Sequence, residues 1–133
     1  MITLADYFMG RIEKYGKELT DEMRDDAERT VSLVNQLIAS MQADGMHVNG
    51  VVSSGWRPTA VNSSTPGAAK KSNHLLCRAC DLSDPEGVID AWCLANTDKL
   101  EAIGLWLEHP ESTPRWCHVQ IVPPASGKRV FHP

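Results

Sequence analysis

His74, Asp81 and His118 are the residues of this chain whose types and spacing suit metal chemistry. Two imidazoles and one carboxylate leave the fourth position of a tetrahedral zinc ion open to water, as catalytic rather than structural zinc requires. Such ligands converge when neighbouring strands point them to one face of a sheet. The plainer reading of the same three is two half-buried histidines and a loop aspartate. Beside them, Ser53-Ser54-Gly55-Trp56-Arg57-Pro58 reads as a strand end and a tight loop carrying one arginine. Its guanidinium fork suits a carboxylate or a developing oxyanion. The alternative for Arg57 is a loop arginine that caps carbonyls.

A second candidate is Cys77-Arg78-Ala79-Cys80, a C-x-x-C that suggests a redox pair or half of a zinc ribbon. It precedes a strand, whereas redox motifs of this kind open a helix. No second C-x-x-C completes a ribbon, although His74, Cys77, Cys80 and Cys117 together offer a closed four-ligand set. Cys93, between Trp92 and Leu94, reads as a packing residue. Other catalytic signatures are absent: there is no S-x-x-K, H-E-x-x-H, G-x-S-x-G or phosphate loop. Trp56, Trp106 and Trp116 are candidates to line a cleft or to pack in the core.

The elements that must position these residues follow from periodicity. Leu4, Phe8, Ile12 and Tyr15 recur at helical steps until Gly16. A second helix starts at Thr20, an N-cap with Asp21 and Glu22 behind it. Its apolar stripe runs through Met23, Ala27, Val31, Val34, Leu37, Ile38 and Met41 and stops at Asp44-Gly45. Residues 47–54 predict a strand, and Gly55 to Ala69 a loop. Ala79 to Leu82 predicts a buried strand; Val88 to Ala95 and Leu100 to Ile103 predict helix. Residues 105–108 and 116–121 predict a hairpin closed by the turn His109 to Pro114, with a loop from Pro123 onward. The fold class is α+β: N-terminal helices packed on a small, mostly antiparallel sheet that carries the site.

The chain has 133 residues, the size of one domain spanning all of them. It is 42% hydrophobic and 23% charged, a globular composition. Its net charge of −4 argues against an electrostatic nucleic-acid binder, and no apolar run approaches a membrane span. The N-terminus lacks the pattern of a secretory signal, so synthesis and initial residence in the cytoplasm are expected, with the cysteines as thiols.

Three motifs occur in order between Ser54 and Gln120: Ser54-Gly55-Trp56-Arg57, then Ser72-Asn73-His74 with Asp81, then Trp116-Cys117-His118. In this the chain resembles the zinc D-alanyl-D-alanine carboxypeptidases and L-alanyl-D-glutamate endopeptidases of peptidoglycan. Their marks are an S-G-[YW]-R strand end, an S-x-H-x6-D segment and a late W-x-H strand. The N-terminal helices and the tail Pro124 to Phe131 also resemble short phage-encoded members. The resemblance implies Zn2+ held by His74, Asp81 and His118. It implies a substrate-binding and catalytic Arg57, and a substrate or supporting hydrogen bond from Ser72. Asn62 resembles an asparagine that orders the loop. The implied partner is the peptide stem of peptidoglycan, met by a monomer that reaches the wall after release or as part of a virion.

Two departures from the pattern stand out. Many relatives carry an acid three positions before the last histidine, or a histidine two before it; here these are Arg115 and Trp116. Glu108, across the predicted hairpin, is the first replacement for the general base, followed by His109 and Glu111. The hairpin register decides among them. Relatives also usually have glycine where this chain has Cys77. The missing acid supports a rival reading, in which a degenerate member keeps the fold as a virion structural or wall-binding protein. The cysteines support another, a non-catalytic zinc protein.

Overall fold

A computed structural model describes all 133 residues. Six helices and five strands make an α+β fold. The helices are α1 (Leu4–Phe8), α2 (Ile12–Tyr15), α3 (Asp21–Ala43), α4 (Thr59–Ser64), α5 (Val88–Ala95) and α6 (Thr97–Ile103). The strands are β1 (Val52–Ser54), β2 (Ala79–Ser83), β3 (Trp106–Glu108), β4 (Trp116–Gln120) and β5 (Val130–Phe131), in the sheet order β1-β2-β4-β3-β5. All pairs are antiparallel except β3 with β5.

Strand alternation divides the sheet into two chemical faces. Cys80, Leu82, Cys117, Val119 and Leu107 point into the core, in register across three strands. They meet the buried stripe of α3 (Ala27, Val31, Val34, Leu37, Ile38, Met41) and Ile89, Trp92 and Cys93 of α5. The intervening residues Asp81, His118, Glu108 and Phe131 face the other way, into a cleft of about 440 Å³. A one-residue slip of any strand would exchange the two sets, and burial of the apolar set therefore fixes the polar one.

α3 runs as its sequence predicts: the Thr20 hydroxyl accepts the Met23 N–H at 3.1 Å, and the helix ends at Asp44. Four expectations are corrected. The first helical stretch is broken at Met9-Gly10, both with positive φ, into α1 and α2. The strand expected over 47–54 pairs only from Val52. The loop from Gly55 contains α4, too short to show a periodic stripe. The tail is not all loop, because β5 pairs parallel to β3, with Leu107 N–H on Arg129 O (2.9 Å) and His109 N–H on Phe131 O (2.7 Å). A two-residue strand flanked by prolines and glycine carries no alternation to detect.

Candidate metal centre and cleft

His74 enters the site from a 3₁₀ turn, Asn73–Leu76, capped by Ser72, whose hydroxyl accepts the His74 N–H at 3.2 Å. The next residue but two, Cys77, closes that turn in the left-handed region at φ 62°, where glycine fits most easily. Thr30 of α3 holds the turn from behind, its hydroxyl donating to Cys77 O at 2.7 Å. Asp81 and His118 come from adjacent strands as a directly opposed pair.

The three side chains converge. His74 Nε2 lies 3.2 Å and His118 Nδ1 2.8 Å from the same oxygen, Asp81 Oδ1, and all three ligand atoms fall within 4.8 Å of one another. His74 Nδ1 is 2.8 Å from the carbonyl of Gly55 and must donate to it. The neutral ring therefore bears its lone pair on Nε2, a buried atom with no hydrogen-bond partner. A lone pair aimed at a carboxylate oxygen is repulsive unless a cation lies between them, so this donor set fits a divalent metal. Burial holds His74 below the ordinary imidazole range, which keeps it neutral as a ligand must be. Burial opposes ionisation of Asp81, but the two histidines outweigh it and hold the carboxyl far below its usual range. Burial likewise disfavours charge on His118, and the hydrogen bonds to Asp81 and Gln120 reverse the balance and raise it.

Arg57 borders the cluster. Its Nη2 is 3.3 Å from Asp81 Oδ2, while Nε donates to Ser54 Oγ at 2.9 Å and Nη1 to Asn62 Oδ1 at 3.4 Å. These partners are side chains, so the carbonyl-capping reading of Arg57 does not describe it. Asn62 in turn donates to Ala69 O at 3.0 Å, tying the arginine to the loop that forms the cleft's other wall. Glu108 follows the paired residues Trp106↔Gln120 and Leu107↔Val119, and so stands opposite His118 on the cleft face. Burial lifts its carboxyl above the ordinary glutamate range, although His118 and Arg57 pull the other way. His109 and Glu111 sit outside the cleft lining. They group instead with His132 at the rim, where the rings of His109 and His132 stack at 4.6 Å.

No cysteine joins the cluster. Cys77, Cys80 and Cys117 are buried in the core, and burial pushes the Cys77 thiol up to about 12. Of the tryptophans, Trp116 lines the cleft. Trp56 is a core residue edge-on to Phe8, and Trp106 lies under the Arg129 guanidinium at 4.3 Å. Sequence reasoning missed Gln120, whose Oε1 is 3.0 Å from His118 Nε2. The available signal was period two: residue 120 shares a strand face with residue 118.

Residues 15–119 match the family profile described as peptidase M15. Comparison with curated proteins and with solved structures returned no significant match. No helix is long and apolar enough to cross a membrane. With its match extending over well more than half of the residues, the chain belongs to the peptidase M15 family.

Proposed function

We propose that this chain is a zinc-dependent peptidase that hydrolyses the peptide stems of bacterial peptidoglycan, as a D-Ala-D-Ala carboxypeptidase or an L-Ala-D-Glu endopeptidase. The observation that carries this reading is the partnerless, buried Nε2 of His74, aimed with His118 Nδ1 at Asp81 on the floor of a cleft. Family membership supports the reaction class. His74, Asp81 and His118 would hold the metal, which when bound supplies Lewis acidity and an acidified water.

The chain's own residues then have distinct tasks. Arg57, restrained by Ser54 and Asn62, presents its fork beside the cluster to bind a substrate carboxylate or to steady the oxyanion of a scissile carbonyl. Glu108 is the general base, taking the water's proton and passing it to the leaving amine. Its raised carboxyl pKa brings it nearer the pH at which proton transfer is efficient. Ser72 holds the backbone turn from which His74 projects, and it also borders the cleft. Trp116 and Phe131 offer an apolar wall for a small side chain. The degenerate-member reading drew on the missing acid beside His118, and Glu108, opposite His118 in the cleft, supports an active enzyme instead. We take residues 1–133 as one domain, acting as a monomer on the wall after release or within a virion.

Glu108→Gln tests the assignment. Release of new amino and carboxyl ends from purified peptidoglycan should fall about 10²–10⁴-fold while stoichiometric zinc is retained. Undiminished hydrolysis would move the base to His109 or Glu111.

A further inference from the structure

We propose that Gln120 is a positioning residue of the metal centre, one that fixes which nitrogen of His118 is offered to the ion. The inference rests on the reading of His118 as a ligand. Gln120 is 3% exposed and lies in the middle of the sheet, flanked in register by Ala79 and Trp106. A buried amide must find partners for both its ends. Gln120 Nε2 donates to the carbonyl of Val122 at 2.9 Å, which settles which end is oxygen. Oε1 then faces His118 Nε2 at 3.0 Å, and an amide oxygen only accepts, so the imidazole donates: His118 Nε2–H to Gln120 Oε1.

That bond matters because of what stands on the ring's other side. Asp81 Oδ1 is 2.8 Å from His118 Nδ1, and a carboxylate is the stronger acceptor. Left to Asp81 alone, the single proton of a neutral ring would sit on Nδ1, on the atom turned toward the cluster. Gln120 supplies the counterweight that holds the proton on Nε2, so that a bound cation, in place of a proton, meets the Nδ1 lone pair beside His74 Nε2 and Asp81. His74 is arranged the same way with its nitrogens exchanged: the Gly55 carbonyl takes the Nδ1 proton and Nε2 faces inward. Each histidine thus has one oxygen acceptor on its outer side, a backbone carbonyl for His74 and the Gln120 side chain for His118.

The test compares zinc affinity, by competition with a chromophoric chelator, in the wild-type chain and in Gln120→Leu, Gln120→Glu and His118→Ala. Thermal unfolding of each metal-free variant checks the fold, and Gln120→Met replaces Gln120→Leu if the latter does not fold. Loss of the acceptor should weaken zinc binding about 10–100-fold, and Gln120→Glu, which restores an acceptor oxygen, should recover most of it. Proton NMR of the zinc-loaded wild type should show a slowly exchanging imidazole N–H that the apolar variant lacks, a signature that a purely structural role would not move. Wild-type affinity in the apolar variant, or equal weakening in Gln120→Glu, overturns the proposal while His118→Ala still loses zinc. Zinc retained in His118→Ala overturns the ligand reading itself, and this proposal with it.

Discussion

Gly55→Ala should damage the metal centre although residue 55 carries no side chain and its φ is not positive. A Cβ placed there would lie 1.9 Å from the carbonyl oxygen of Tyr7 and 2.8 Å from its carbon. Those atoms belong to α1, which is anchored by the Tyr7 hydroxyl on Ala79 O (2.8 Å) and by Trp56 N–H on Tyr7 O (3.1 Å). The 55–56 segment must therefore retreat by roughly 1 Å to reach tolerable contact. The Gly55 carbonyl is the acceptor that orients His74 at 2.8 Å, and a retreat of that size takes the bond beyond hydrogen-bonding range. Overpacking against backbone plus a lost bond to a buried ring costs roughly 2–5 kcal/mol together. For a chain of this size that lowers Tm on the order of 10 °C or more. Freed of its acceptor, His74 should bind zinc about 10–100-fold more weakly. Thermal unfolding of the metal-free protein and chelator-competition titration read the two effects separately. Gly16→Ala, where the added carbon meets only the flexible Ile12 side chain at 3.2 Å, is the control and should change neither by much. Unchanged Tm in Gly55→Ala would refute the steric argument. A lowered Tm with unchanged zinc affinity would refute the coupling of Gly55 to His74.

His74→Ala and Asp81→Ala should each abolish stoichiometric zinc binding, measured by metal analysis after gel filtration, while Cys77→Ser, whose thiol faces the core, should keep it. Loss of zinc only in the cysteine variant would reverse the assignment. A second expectation concerns pH. Burial, reinforced by Asp84 and Glu108 against an opposing hydrogen bond from Cys117, lifts the Asp90 carboxyl to about 6, and its Oδ1 has no partner. Between about pH 4 and 6 the native chain keeps a proton there that the unfolded chain has released, so stability falls as pH rises through that window. Asp90→Asn has no such loss. It should be more stable than the wild type by about 1–3 kcal/mol at pH 7–8, and the gain should vanish near pH 4, as followed by urea unfolding. A gain independent of pH would contradict it.

His74, Asp81 and His118 were singled out by residue type and by the motifs of the family the chain resembles, and strand alternation gives the physical reason that two of them share a face. Cys80 and Leu82 must be buried, so Asp81 between them must face the other way. The same logic worked for Val119 and His118. Glu108 was legible only as one of three, since its facing depends on the pairing of Leu107 with Val119, and the turn between them has several workable lengths. The long helix α3 declared itself through seven stripe residues and a cap, whereas α4 and β5 fall below the length at which a period exists. Cys77 looked like chemistry because of its spacing to Cys80. The structure instead packs its side chain in the core, from a left-handed turn that ends the His74 segment. The contributions of Gly55 and Gln120 were hidden for a different reason: one acts through a carbonyl and the other through the orientation of an amide, and neither is specified by residue type.

Metal content and bond cleavage measured on one purified sample test the central claim most directly. The account predicts one zinc per chain, together with new amino and carboxyl ends released from peptidoglycan, abolished by a chelator and restored by zinc. Cleavage that survives removal of the metal, or a folded chain that takes up no zinc, would contradict it.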